Sequence, residues 1–507
     1  MTEDYNYQKI NENRKSGILM HITSLPGPYG IGTMGENAKE FVDFLFDSGQ
    51  SYWQVLPVGP TSYGDSPYQS FSTFAGNPYL IDLDYLKNDG LLTKKELQEL
   101  GNDYDPTDID YGRLYEERFD ILRKAFKRFN FDDPNYKEFY NNEKYWLEDY
   151  SLFMAIKNFH DGVSWIEWDK KYKMRDEKAL KEFSKKHHEE ISFYNFLQYK
   201  FFQQWNDLKS YAHSNNIEII GDIPIYVAED SADVWSNPEL FKLNEDFSPE
   251  FVGGCPPDNF SDDGQFWGNP VYDWYQNERQ NYKWWVQRIK SAFELFDVVR
   301  IDHFRGFESY WEIPAEDDNA AGGRWVKGPA NDLFKRIKEE LGDLPIIAED
   351  LGYMTREVYE FRKETAFPGM KIIQFAFNPE MNSEHMPHNF TTNFVVYAGT
   401  HDNETLRGWI ENNRDTGVLD RAIEYGNLNE EEGLHWGIIR MCMNSVADTA
   451  IFQLQDILNL GNEARMNLPS TLGINWRWRV EELPSKNLVD KLYKYTKNSD
   501  RLNKTGL

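Results

Sequence analysis

Short runs of consecutive apolar residues recur along this chain, bounded by Gly, Pro, Asn or Asp. A run of that kind reads as a strand buried on both faces. Eight are expected as strands: 17–22, 52–57, 217–222, 297–302, 345–349, 371–375, 394–399 and 449–454. The eighth is ambiguous, because residues 450–458 fit a helix equally well. Segments of helical period lie between the runs. Over residues 36–47, Phe41, Phe44 and Leu45 share one face, as a crossover helix after the first strand requires. Residues 114–129, 143–160, 178–213 and 486–497 read as charged helices, and Thr93-Lys94-Lys95-Glu96 as a capping box. Strands alternating with helices define an α/β chain, and eight runs are the count of a closed (β/α)8 TIM barrel.

The spacing of the runs is uneven. Far more chain than a crossover needs separates the second from the third, so 58–215 is expected as a largely helical insertion. Residues 223–276 are rich in Gly, Pro, Asp and aromatics, the composition of a loop-rich insertion and active-site lid. A helical insertion is expected over 404–447. Beyond residue 475 little remains except one helix, so the expectation is a single catalytic barrel domain over 1–507 with no C-terminal β-sandwich.

Three of the apolar runs end on a carboxylate: Asp302 after Val298-Val299-Arg300-Ile301, Glu349 after Pro345-Ile346-Ile347-Ala348, and Asp402 after Val395 to His401. Burying an acid at a strand end is costly unless it is paired or functional. In a parallel barrel all three would share the pocket at the carboxyl ends of the strands. Residues two apart on a strand share a face, so Arg300 and Asp302 are expected to point inward together. A guanidinium favours the ionised carboxylate, the form a nucleophile needs; a structural ion pair fits the same spacing. Glu349 has no cationic neighbour in sequence. Desolvation alone would raise its pKa, as a general acid needs; the alternative is a helix N-cap or first-turn acid, a role that also suits Asp350. His401 and Asp402, in Thr400-His401-Asp402-Asn403, offer hydrogen bonds to hydroxyl groups or a satisfied turn, and His303 carries the same two readings. Two carboxylates held in opposite protonation states, in a mouth lined with aromatics, describe glycoside chemistry.

Composition narrows this further. Aromatics make up 16% of the chain and many lie beside Gly, Pro or Asp, where sugar rings stack on them. The net charge of −29 disfavours a phosphate-neutralising surface, so no nucleic-acid partner is expected. No apolar stretch reaches about 18 residues, and residues 1–15 are polar, so neither a membrane span nor a secretory leader is expected. Cys255 and Cys442 form no metal or redox spacing, and the histidines form no HxxxH or HxH; neither metal nor cofactor is expected. The expected setting is the cytoplasm.

At the strand-end acids the chain resembles the α-amylase clan, and more closely the amylomaltases, or 4-α-glucanotransferases, of glycoside hydrolase family 77. The resemblance rests on Val299-Arg300-Ile301-Asp302-His303-Phe304-Arg305-Gly306, Ala348-Glu349-Asp350-Leu351-Gly352 and Gly399-Thr400-His401-Asp402-Asn403. It extends through Tyr63-Gly64-Asp65-Ser66-Pro67-Tyr68-Gln69-Ser70, Gly221-Asp222-Ile223-Pro224-Ile225, Pro256-Pro257-Asp258, Gly264-Gln265-Phe266-Trp267-Gly268-Asn269-Pro270 and Arg465-Met466-Asn467-Leu468-Pro469. The resemblance implies a retaining 4-α-glucanotransferase that moves α-1,4-glucan segments to the 4-OH of an acceptor glucan or glucose. An α-1,4-glucan hydrolase and a non-catalytic glucan-binding barrel are the alternatives. Asp302 would be the nucleophile, Glu349 the general acid/base and Asp402 the stabiliser of the transition state. Arg300 would hold Asp302, while His303 and His401 would contact the same glucose and Asp222 would sit at the third strand end. Tyr63, Tyr68, Asp258, Trp267 and Asn467 would line the cleft. Partners would be α-1,4-glucans, maltooligosaccharides and glucose, acted on by a monomer or weak homodimer.

Overall fold

A computed structural model describes residues 14–62, 64–101, 103–257, 263–380 and 382–503. Its centre is an eight-stranded parallel sheet of β1 (Lys15–Leu19), β2 (Tyr52–Gln54), β3 (Glu218–Ile223), β4 (Val298–Ile301), β5 (Ile346–Ala348), β6 (Gly369–Ile372), β7 (Phe394–Tyr397) and β8 (Thr449–Gln453). The hydrogen-bonded order is β6-β7-β8-β1-β2-β3-β4-β5, so the strands run in sequence around a barrel whose seam lies between β5 and β6. Helices cover the outside, which is why the strands read as unbroken apolar runs: Ile18, Trp53, Ile219, Val299, Ile301, Ala348 and Val396 are all buried.

At the seam, one backbone hydrogen bond runs from Ala348 N to Pro368 O (2.9 Å). Asp350 supplies another link, its Oδ1 accepting from Met370 N at 2.7 Å while Oδ2 lies 3.0 Å from Arg362 Nε. Asp350 is therefore a stitch of the barrel and not a helix-capping acid. Gly369 is required beside it, because a Cβ there would sit 2.3 Å from Asp350 Oδ2.

Several expected boundaries move. The first strand is Lys15–Leu19, and Ile22–Ser24 forms a 3-10 turn. The sixth is Gly369–Ile372, with Ile373–Phe375 a 3-10 turn. In both places a turn that begins on a buried isoleucine, Ile22 or Ile373, follows the strand, and periodicity alone cannot separate the two. The eighth run is divided: a strand to Gln453, then a short helix over Leu454–Ile457. The helix expected over 178–213 is two, Glu177–Lys186 and His188–Ser214, broken at His187 (φ −113°, ψ 29°). The helix Glu36–Asp47 and the Thr93–Glu96 capping box form as read.

Residues 223–276 are less loop-like than their composition indicates. Phe251–Cys255 and Gln265–Pro270 join Ser309–Pro314 and Arg324–Lys327 in a four-stranded antiparallel sheet outside the barrel. The glycines hid the first strand: a Cβ at Gly253 would meet the Tyr226 ring at 2.5 Å, and one at Gly254 the Gln265 carbonyl at 2.1 Å. Among the described residues no helix is long and apolar enough to cross a membrane.

Candidate active site

Asp222 on β3 and Arg300 on β4 are direct neighbours in the strand register. Arg300 Nη1 donates to Asp222 Oδ2 at 2.6 Å and Nη2 to Asp302 Oδ1 at 2.8 Å. Its Nε points at the Met370 thioether, 3.4 Å away on β6. The expected Arg–Asp pair is thus one guanidinium serving two carboxylates. Desolvation by itself would lower the Arg300 pKa, but the Asp222 and Asp302 charges outweigh it and hold the pKa well above the usual value. Burial nevertheless keeps Asp222 raised, and its Oδ1 is buried without a protein partner.

Glu349 follows β5 and is buried. Its Oε2 accepts from His303 N (2.7 Å) and its Oε1 from Leu351 N (2.8 Å). Those two amides and Arg300 favour the ionised form, but desolvation and the Asp302 charge win and push the carboxyl up to about 8. The first reading, desolvation alone, therefore lacked a second cause: a like charge brought across from the neighbouring strand. His303 adopts the left-handed conformation (φ +50°) that turns its N–H toward Glu349. Burial, with Arg305 nearby, drops its imidazole to about 3, so the ring is neutral. Its Nε2 is buried without a protein partner, and the Trp267 ring meets it edge-on at 4.8 Å.

The third acid stands on the opposite side. Asp402 Oδ1 accepts from Asn467 Nδ2 at 2.6 Å and lies 3.4 Å from His401 Nε2. Asn467 N in turn donates to His401 O (3.1 Å), which locks the two loops together. Tyr68 links this side to the first: its hydroxyl donates to Asp222 Oδ2 (2.9 Å), lies 3.0 Å from His401 Nε2, and its ring stacks on His401.

Asp222, Arg300, Asp302, His303, Glu349, His401, Asp402, Tyr68, Trp267 and Asn467 therefore meet at one mouth of the barrel; Tyr63 and Asp258 lie outside the described residues. Two residues of the site were not singled out. His21, at the end of the β1 segment, accepts from Leu56 N through Nδ1 (3.3 Å), and burial drops it to about 3. It ends an apolar run, Gly17 to Met20, the same signal that marked the acids. Trp476 packs against Tyr68 and His401, 5.8 and 5.9 Å away, and carries no such signal. Among the described residues no group of three or more His, Cys, Asp or Glu is placed to hold a metal.

A (β/α)8 barrel whose carboxyl mouth gathers a guanidinium-bound aspartate, a glutamic acid raised to about 8 and a third acid flanked by aromatics defines a glycoside-processing enzyme of the two-carboxylate class. A family model described as 4-alpha-glucanotransferase, glycoside hydrolase family 77, matches residues 20–485. The 4-alpha-glucanotransferase of Clostridium butyricum is 53% identical over 481 residues, covering 94% of this chain and 99% of that one. That of Thermus thermophilus is 48% identical over 478 residues, 92% of this chain and 95% of that one. The structure of amylomaltase from Streptococcus agalactiae in complex with acarbose superposes with a TM-score of 0.94 at 44% identity, covering 97% of this chain and 100% of that one. The chain belongs to glycoside hydrolase family 77, the 4-alpha-glucanotransferases, and is a glucan-transferring enzyme.

Proposed function

We propose that Asp302, Glu349 and Asp402 divide the work of a retaining transfer between α-1,4-glucans. Glu349, protonated, donates to the glycosidic oxygen as Asp302 attacks the anomeric carbon. The leaving glucan departs with that proton and a glycosyl ester forms on Asp302. Glu349, now ionised, takes the proton from the 4-OH of an acceptor glucan or glucose. That oxygen then displaces Asp302, and the configuration at carbon one is restored. Asp402, steadied by Asn467, accepts hydrogen bonds from sugar hydroxyls. His401 and the neutral His303 bind the same glucose.

The observation that carries this reading is the contrast between two acids of one pocket. Asp302 accepts a hydrogen bond from a guanidinium, whereas Glu349 is buried and raised to about 8. Transfer in place of hydrolysis requires an acceptor held close and water kept out. The Trp267 ring against His303 supplies an apolar wall for that purpose.

Incubation with maltotriose tests the proposal. The expected products are glucose and longer oligomers at a constant number of reducing ends. A rising number of reducing ends would mean hydrolysis, and binding without any product would mean a glucan-binding barrel.

A further inference from the structure

The outer antiparallel sheet presents aromatic side chains to solvent beside the catalytic mouth. Strand register pairs Trp311 with Trp325 on one face. Arg324–Lys327 is the edge strand of that sheet, so Trp325 reaches solvent although Ile313, on the same face of the neighbouring strand, is fully buried. Trp325 stays 37% exposed and Tyr353 66% exposed, although their rings lie nearly parallel (22°) with centroids 6.3 Å apart. Arg305 holds both: its guanidinium lies 3.9 Å over the Trp325 ring, and its Nη1 donates to the Tyr353 carbonyl.

We propose that Trp325 and Tyr353 form a platform for the distal part of a long α-glucan whose reacting bond lies in the cleft. This deepens the function proposed above and rests on it. Parallel exposed aromatics present the flat apolar faces on which the C–H faces of sugar rings stack. The occupant follows from continuity with the site. Arg305 stands three residues after Asp302, and Tyr353 four residues after Glu349, so no more than about 14 Å of chain separates the platform from the acid. The intervening loop is fastened to that acid, because Leu351 N donates to Glu349 Oε1. With a chain charge of −29, a polyanionic occupant is disfavoured and a neutral polymer fits.

The test compares kcat/KM for long linear amylose and for maltotriose in the parent and in Trp325→Ala/Tyr353→Ala. Retardation in amylose-containing native gels and thermal unfolding are measured alongside. A glucan platform lowers the amylose-to-maltotriose ratio about ten- to hundredfold, each stacked ring contributing roughly three- to tenfold, and weakens retardation. A ratio within twofold of the parent overturns the proposal. So does an equal loss on both substrates, which would make the two rings supports for Arg305. Tyr353→Ala alone, at a largely exposed position, keeps the test available if the double variant unfolds. Should the parent give no transfer products at all, the proposed function fails, while the gel still decides the platform.

Discussion

At the amino-terminal mouth of the barrel a cavity of about 790 Å³ is lined by Tyr52, Val298, Phe334, Ile346, Phe367 and Phe394. Charged groups stand at its edge in pairs open to water, Lys15 with Glu218 half-buried and Lys338 with Asp343 exposed. At the carboxyl mouth the charges are inside: Asp222, Arg300 and Glu349 are buried and bonded to one another's strands or loops. A sizeable cavity thus stands at the end away from the buried carboxylates. An exposed pair is screened by water and contributes little. A desolvated set shifts its own pKa values, which is what acid and base roles need.

The largest expected effect breaks the symmetry between the mouths outright. Asp302→Asn should lower turnover of maltotriose by about 10⁴-fold, whereas Lys338→Ala at the other mouth should stay within about twofold. Unchanged activity in Asp302→Asn would remove Asp302 as nucleophile. Next, Arg300→Met leaves Asp222 and Asp302 without their shared cation and should cost about 3–5 kcal/mol in urea unfolding. Lys15→Ala should cost no more than about 1 kcal/mol. Similar losses in both would show that desolvation does not separate the two ends.

Asp350→Ala removes the side-chain stitch at the β5–β6 seam and should destabilise by roughly 1–3 kcal/mol. Because Met370 carries both that hydrogen bond and the sulfur facing Arg300, kcat should fall more than KM rises. The smallest effect is a titration. With Glu349 raised to about 8, kcat/KM should fall about tenfold per pH unit above that value. The same shift is linked to stability. The carboxyl's ordinary value is 4.5 and its folded value lies above that, so its contribution is full below 4.5 and is lost as pH rises toward 8. Melting of Glu349→Gln against the parent at pH 5 and pH 8.5 reads the sign: the difference should move in favour of the variant at the higher pH. A gap independent of pH would contradict the raised pKa.

Much of the barrel was legible because a strand covered on both faces must be apolar along its whole length. The same logic failed where another structure shares that composition. The apolar residues of the turn Ile373–Phe375 imitate a strand, and the glycines of Phe251–Cys255 conceal one. The acids were legible for a complementary reason, since a charge at the end of a buried run demands an explanation. His21 shows that the rule reaches beyond acids, while Trp476 and Tyr68 owe their places to loops folded across the mouth.

By itself the sequence determined the fold class and pointed to the three strand-end acids that the structure gathers at one mouth of the barrel. Each of those follows from local composition along single strands. Tertiary structure alone decided the electrostatics. Arg300 is shared because β3 lies in register with β4, and Glu349 is raised because Asp302 reaches it from the neighbouring strand as well as because it is buried. Met370 meets Arg300 from β6, two strands on and beyond the β5–β6 seam. Interactions between charges depend on distance through space and on the water removed around them, and neither quantity is written in the order of residues along the chain.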